Sequence, residues 1–358
     1  MADAVVVTGG FGLVGSETVK QLAAAGRRVV VADLDTPANR KKVAALPVGV
    51  DVRWTDLTNA DDVDRLVSAV QPAVIVHLAA IIPPPLYKNP SLARKVNVDA
   101  TVALVRAAEA LPNPPRFVQA SSNAVYGSRN PHRVTDVVRA DTPPRPFELY
   151  SNTKFQAEQN VRNSSLPWVV LRLGGVLSPN FSALPLTADG ILFESALPTD
   201  GRIHTVDVRD VGVAFAAATT ADVIGEILLI AGDDSHKLLQ KDVGPALAAA
   251  LGLPGVIPEG RKGDPDDDDS WFLTDWMDTA RAQEALQFQN HSWQAMLAEM
   301  SERMGWKRLL LRLVAPAARI FLAHRAAYRN APGTYADPWG AVAARLGDPC
   351  LERQPTDS

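Results

Sequence analysis

The chain has 358 residues, 47% of them hydrophobic, enough to fill a sizeable core and too apolar for disorder over most of its length. Its 36 Lys and Arg stand against 40 Asp and Glu, a formal charge of −4, so no overall positive field draws nucleic acid or anionic lipid and any basic contact is local. One cysteine, Cys350, excludes an internal disulfide and a multi-cysteine metal site; no metal is expected, and the setting implied is a reducing, cytoplasmic one.

After Met1-Ala2-Asp3 the chain turns at once to Ala4-Val5-Val6-Val7, an opening too short and too acidic for a signal peptide. No apolar run reaches the roughly 18 residues that a spanning helix needs. Short β-branched runs at Val5–Val7, Arg28–Ala32, Val50–Trp54, Ala73–His77, Phe117–Ala120 and Trp168–Arg172 predict strands. Between them, helical periodicity predicts helices at Leu13–Ala25, Asp61–Val70, Leu92–Ala110 and Glu148–Val161. Such alternation implies an α/β fold, a doubly wound parallel sheet with helices on both faces. From Gly174 the order changes: a Pro-containing stretch, Ser178–Thr199, leads to TVDVRDV and a further strand, Ile227–Ile230. Asp264–Ser270, DPDDDDS, has many carboxylates but lacks the glycine-punctuated Ca²⁺ loop spacing and reads as a solvated loop. Trp306–Arg329 carries Lys307, Arg308, Arg312, Arg319, Arg325 and Arg329 and no acid, a basic amphipathic helix expected to break at Pro316. It is read first as packing on its own chain or on a second subunit, with an anionic membrane surface as the alternative.

The first strand runs into TGGFGLVG, Thr8–Gly15, and then into a helix. Glycines at Gly9, Gly12 and Gly15 allow a tight turn, close approach of backbone N–H groups to a pyrophosphate, and tight helix–strand packing; Phe11 and Leu13 belong to the same cofactor-binding loop. The spacing G-x-x-G-x-x-G is one residue longer than the usual fingerprint, and a plain strand–helix turn is also glycine-rich. Asp33 ends the second strand, 18 positions after Gly15, where an acid bonds the adenosine ribose and repels a 2′-phosphate; this favours NAD over NADP. Asp56 and Leu57 after the third strand, and Leu78, Ala79 and Ala80 in HLAA after the fourth, are placed along the same cofactor. His77 reads as a satisfied strand-end histidine.

These pieces, with NVDAT at 97–101, SSNAVYG at 121–127 and YSNTK at 150–154, occur in the order seen in the extended short-chain dehydrogenase/reductase superfamily, which the chain resembles over residues 1 to about 235 in the NAD-dependent epimerase/dehydratase type. Beyond Met304 the resemblance lapses. It implies a Rossmann NAD-binding domain at 1–173 with a return segment at about 205–230, and a smaller C-terminal substrate-binding domain from 174–204 and 231–304. Residues 305–358 form the basic extension, and the resemblance further implies a homodimer through the helices at Leu92–Ala110 and Glu148–Val161.

A free tyrosine is a poor base at neutral pH and needs a positive charge nearby. Tyr150 and Lys154 lie one helical turn apart on one face, so Lys154 can stabilise the phenolate; alone, such a pair is often only a surface pair. The resemblance gives Tyr150 the proton transfer, gives Lys154 the nicotinamide ribose as well, and gives Ser122 the substrate oxygen, with Ser121 as the competitor. It also gives Asn97 a supporting role in the site, although an asparagine near a helix start is equally a cap. The resemblance places Val176 beside the nicotinamide, but RLGGVLSP at 172–179 lacks the family's usual asparagine. Asn123 and Arg202 are candidate substrate contacts, while Arg209 between Asp207 and Asp210 can be a structural ion pair. Asn123-Ala124 stand where dehydratases carry a carboxylate, which leaves a small-molecule alcohol as substrate. Simple oxidation or reduction of a secondary alcohol comes first, with epimerisation through a transient ketone as the alternative. A catalytically silent NAD-responsive binding protein is a third reading.

Overall fold

The computed structural model describes residues 4–180, 187–329 and 331–349. Cys350 and residues 181–186 of the Pro-containing stretch lie outside them.

Six strands follow in chain order: β1 Ala4–Thr8, β2 Arg28–Asp33, β3 Asp51–Trp54, β4 Val74–His77, β5 Arg116–Ser122 and β6 Trp168–Leu173. With β9, Ile227–Ile230, they form one parallel sheet in the order β3-β2-β1-β4-β5-β6-β9. The short strands β7 Gly175–Leu177, β8 Arg202–Asp207 and β10 Lys237–Leu239 make a second sheet, β10-β8-β7. The 205–230 stretch is therefore split: β9 joins the main sheet, but β8 belongs to the small one.

Valines dominate the central strands because both faces of the sheet are covered. Side chains alternate across it: Val5, Val7, Val29 and Val31 pack into one layer with Val19, Leu22, Val211 and Phe215. Val6, Val30 and Ile75 pack into the other with Leu66, Val67, Leu104, Phe117 and Val161. The first seven helices are α1 Leu13–Ala24, α2 Pro37–Lys42, α3 Ala60–Val70, α4 Pro85–Lys88, α5 Pro90–Arg94, α6 Ala100–Glu109 and α7 Leu149–Arg162. After them come α8 Ala188–Ala196, α9 Val208–Ala218, α10 Gln240–Ala250, α11 Ala280–Leu286, α12 Trp293–Met304, α13 Lys307–Arg325 and α14 Pro338–Ala343.

Two expectations are corrected. The helix expected over Leu92–Ala110 starts earlier, where Asn89 caps Leu92, and a π-turn at Lys95–Asp99 divides it into α5 and α6. Asn97 sits in that turn and not at a helix start, so it is no cap. The C-terminal helix does not break at Pro316: α13 runs through it from Lys307 to Arg325. Asp264–Ser270 has no helix or strand.

Candidate active site

The order of strands reverses between β1 and β4, and the carboxyl ends of β1, β4 and β5 meet beside that crevice, where doubly wound sheets bind ligands. Thr8, the last residue of β1, ties two of these ends together: its Oγ accepts from the N–H groups of Leu78 at 3.2 Å and Ala79 at 3.4 Å. It also lies 2.7 Å from His77 Nδ1. Thr101 donates its hydroxyl to Asn97 O at 2.9 Å and sits 3.1 Å from His77 Nε2, so Nε2 carries the imidazole proton and Nδ1 accepts from Thr8. His77 is thus a satisfied buried histidine. Burial, with the Lys154 charge added, pushes its pKa down to about 3.

That shift sets an acid sensitivity. Burial pushes His204 down as well, to about 4. Between these values and the ordinary value near 6.5 the unfolded chain binds more protons than the folded one, so stability falls as pH falls through that window. The buried carboxyls of Glu148, Asp210 and Asp275, raised by burial, act in the opposite sense. Denaturant midpoints compared across this window are therefore expected to fall less steeply in His77→Gln than in the wild type; equal slopes would remove His77 from the account.

The glycine loop has the shape that a dinucleotide requires. Gly9 takes φ +67°, and a Cβ there would stand 2.9 Å from Ala79 Cα. A Cβ on Gly15 would overlap the Gly9 carbonyl oxygen and stand 2.8 Å from Gly10 Cα. Gly12 caps α1 without a side-chain bond, leaving its first-turn N–H groups for an anion. Gly15→Ala is expected to cost about 1–3 kcal/mol of stability and to abolish NAD binding, checked by unfolding and by nicotinamide fluorescence titration.

Asp33 ends β2 with one carboxylate oxygen accepting from Phe11 N at 3.0 Å and the other from Leu34 N at 2.8 Å and Asn39 Nδ2 at 3.2 Å. The acid is therefore fixed at the lip of the loop. The Phe11 ring is buried, stacked on Trp54 with centroids 5.7 Å apart, whereas Leu13 is exposed at the start of α1. Asp56 is exposed and accepts from Thr58, and Leu57 beside it is buried in the core. Ala80 follows Ala79 in the half-buried strand-end segment. Asn97 accepts from Ile81 N at 2.8 Å and donates to Ile81 O at 2.9 Å and Thr153 Oγ at 3.2 Å; it holds the loop after β4 against α7.

Tyr150, Lys154 and Ser122 come together. Helix α7 is capped by Glu148, whose buried carboxylate accepts from Tyr150 N at 2.8 Å and from Ser151 N, and receives the Tyr87 hydroxyl at 3.1 Å. This cap fixes the first turn, which carries Tyr150. The Tyr150 phenol faces Ser122 at the end of β5: burial pushes its pKa up to about 12, the Ser122 hydroxyl pulls it down, and the Glu148 charge pushes it up again. Lys154 donates to Ala120 O at 2.7 Å, and burial pushes its pKa down to about 8, opposed by the Glu158 charge one turn on. Ser121 faces elsewhere: it donates to Glu158 at 3.0 Å, leaving Ser122 as the serine at the tyrosine.

Sequence reasoning passed over Glu148 and the buried pair of Glu158 and Arg172. Arg172 donates to Glu158 at 3.0 and 2.5 Å and to Tyr126 OH at 2.6 Å, while Tyr126 donates to Arg139 O. A capping box written backwards, acid first and serine three on, was the signal for Glu148. Of the other candidates, Asn123 is buried with Oδ1 3.5 Å from Ser122 Oγ. Val176 lies in β7, opposite Val206. Arg202 packs over the Trp276 ring at 4.9 Å, donates to Pro131 O at 3.3 Å and stands 3.7 Å from Asp275. Arg209 is a structural ion pair, bound to Asp207 at 2.7 Å and Glu299 at 2.6 Å.

The model of the NAD dependent epimerase/dehydratase family matches residues 5–194. The chain belongs to this family. NAD is the family's cofactor, and the glycine cradle, the uncapped start of α1 and Asp33 fit it. The UDP-glucose 4-epimerase of Rhizobium leguminosarum bv. trifolii is 30% identical over 283 residues, 70% of this chain and 80% of the relative. UDP-glucose 4-epimerase 4 of Oryza sativa subsp. japonica is 31% identical over 180 residues, and the chain spans about half of that relative's length, 47% of each. Among solved structures, the UDP-glucose 4-epimerase of Thermus thermophilus in complex with NAD has the same fold, with a TM-score of 0.68 at 23% identity over 84% of this chain and 98% of the other.

Proposed function

We propose that the chain epimerises one secondary alcohol carbon of a sugar through a transient ketone, with Tyr150 moving the proton. The observation that carries this reading is Tyr150 and Lys154 on α7 beside Ser122, at the strand ends that also carry the glycine loop. The sugar epimerases among the relatives support the reaction type.

Tyr150 takes the hydroxyl proton of the substrate as the carbon gives up its hydrogen with both bonding electrons, leaving a C=O. NAD, when bound, supplies the acceptor for that hydride and its return. Ser122 donates to the substrate oxygen and keeps it within reach of the phenol. Tyr150 then returns the proton to that oxygen as the carbon regains its hydrogen from the opposite face. Lys154 would hold the nicotinamide ribose, and the positive nicotinamide ring of bound NAD would draw the phenol down from its value of about 12 and make the phenolate accessible. In this reading residues 1–173 and β9 hold NAD, the segments 174–204 and 231–304 shape the substrate pocket, and the enzyme is a cytoplasmic homodimer. The exposure of Leu92 and Val102 on helices expected at the dimer contact supports the last point.

A second reading, net oxidation or reduction of an alcohol that carries no diphosphate, is favoured by the commitments of Arg202 and Arg209, which are engaged inside the protein. A panel of nucleotide sugars and simple secondary alcohols separates the two. Epimerisation is expected to give product with no lasting change in nicotinamide absorbance; NADH accumulating one for one with product would select the dehydrogenase.

A further inference from the structure

None of the residues of helix α13 is buried. Large apolar side chains stand out from it, Trp306 at 69%, Leu309 at 66%, Leu313 at 79% and Ile320 at 61% exposure, with Leu310, Val314 and Phe321 also exposed. From Trp306 these positions recur at i+3, i+4, i+7 and again at i+14 and i+15, which is a single helix face. The half-buried Leu311, Ala315, Ala318 and Leu322 lie on the opposite side, where α13 rests on α8 and α12. The apolar face therefore points away from the body. Exposed Arg312 and Arg319 flank it on one side, and exposed Lys307 and Arg325 on the other. Among the described residues Lys307, Arg312 and Arg319 form no ion pair, and Arg325 lies over the Phe321 ring at 4.4 Å.

Charge decides what covers such a face. Trp306–Arg329 holds six Lys and Arg and no acid, so in a chain of −4 the rest carries a formal −10. Screening over about 10 Å leaves the local cationic stripe in control of a contact at its own surface. Pairing with the same face of a second copy would bring arginine flanks together with no carboxylate across them, which disfavours a dimer there. A surface with an apolar interior and a negatively charged skin matches both features, and a tryptophan at one end suits the boundary between them. No described helix is long and apolar enough to cross a membrane, so the contact lies along the surface.

We propose that α13 seats the chain on an anionic membrane surface, with the face formed by Trp306, Leu309, Leu310, Leu313, Ile320 and Phe321 at the headgroup boundary and the flanking Lys and Arg against lipid phosphates. The test is flotation of the full chain with phosphatidylcholine vesicles, with and without phosphatidylglycerol. Binding is expected to require phosphatidylglycerol and to fall with added salt. Leu313→Glu/Ile320→Glu, at exposed positions, is expected to lower vesicle binding by about tenfold or more with unchanged unfolding midpoint and NAD binding. Arg312→Glu/Arg319→Glu is expected to lose the preference for anionic lipid. Failure of the wild type to float with the anionic vesicles, or equal flotation of the Leu313→Glu/Ile320→Glu variant, overturns the proposal. If instead that variant converts a dimer to a monomer in sedimentation and the wild type ignores vesicles, the face belongs to a second copy.

Discussion

Replacing Tyr150 with phenylalanine is expected to lower kcat by roughly 10²–10⁴-fold, the range associated with one general acid–base group. NAD affinity and the unfolding midpoint should stay near the wild-type values. Tyr150 is half-buried and faces Ser122, while the helix turn that carries it is set by Glu148, whose bonds go to backbone N–H groups and Tyr87 and not to the phenol. Phenylalanine keeps that packing and deletes only the atom proposed to move the proton. Activity near wild type would reassign the proton transfer. Loss of NAD binding together with activity would mean that the variant had disturbed the cofactor site and not the chemistry.

The second large effect lies one turn further along α7. Glu158→Ala is expected to destabilise the fold by about 3–5 kcal/mol, because it leaves the buried Arg172 guanidinium without its counter-charge. Arg172 is pinned between Glu158 and the Tyr126 hydroxyl and lies 4.7 Å from the Tyr126 ring centroid, so it has no route to water. The pair joins β6 to α7 just behind Ser121, and Glu158 also raises the Lys154 pKa. In urea titrations the Glu158→Leu/Arg172→Met double variant is expected to recover much of the loss, since exchanging a whole buried pair for apolar groups is far milder than breaking it. A single variant with unchanged stability would show that the pair bears no weight in the fold.

Those two residues also mark where sequence reading stops. The main sheet was legible because parallel strands buried on both faces must be runs of valine and isoleucine, and all six expected strands and the further one at Ile227–Ile230 occur. The tight loop at Gly9 and Gly15 was legible because glycine spacing reports where the backbone comes too close for a Cβ. The choice of Ser122 over Ser121 rested on resemblance alone; the bond from Ser121 to Glu158, which engages the competing serine, was not legible. Glu158 and Arg172 carry no local pattern, since a charged pair 14 residues apart becomes a pair only when β6 lies beside α7. The division of the helix at Lys95–Asp99 was equally hidden, because KVNVD has no Gly or Pro to mark a change of turn. Proline at 316 misled in the other direction: on an exposed helix face its missing N–H ends nothing that the neighbouring turns cannot continue.

The central claim is that Ser122, Tyr150 and Lys154 act on one substrate oxygen beside NAD. A crystal structure of the chain with NAD and a substrate identified from the panel tests it most directly. The account predicts the reacting oxygen within hydrogen-bond reach of both Ser122 Oγ and the Tyr150 hydroxyl, the nicotinamide ribose at Lys154, and the adenosine ribose at Asp33. A dinucleotide seated away from Gly9–Gly15, or a substrate whose reacting oxygen is out of reach of Tyr150, would contradict it.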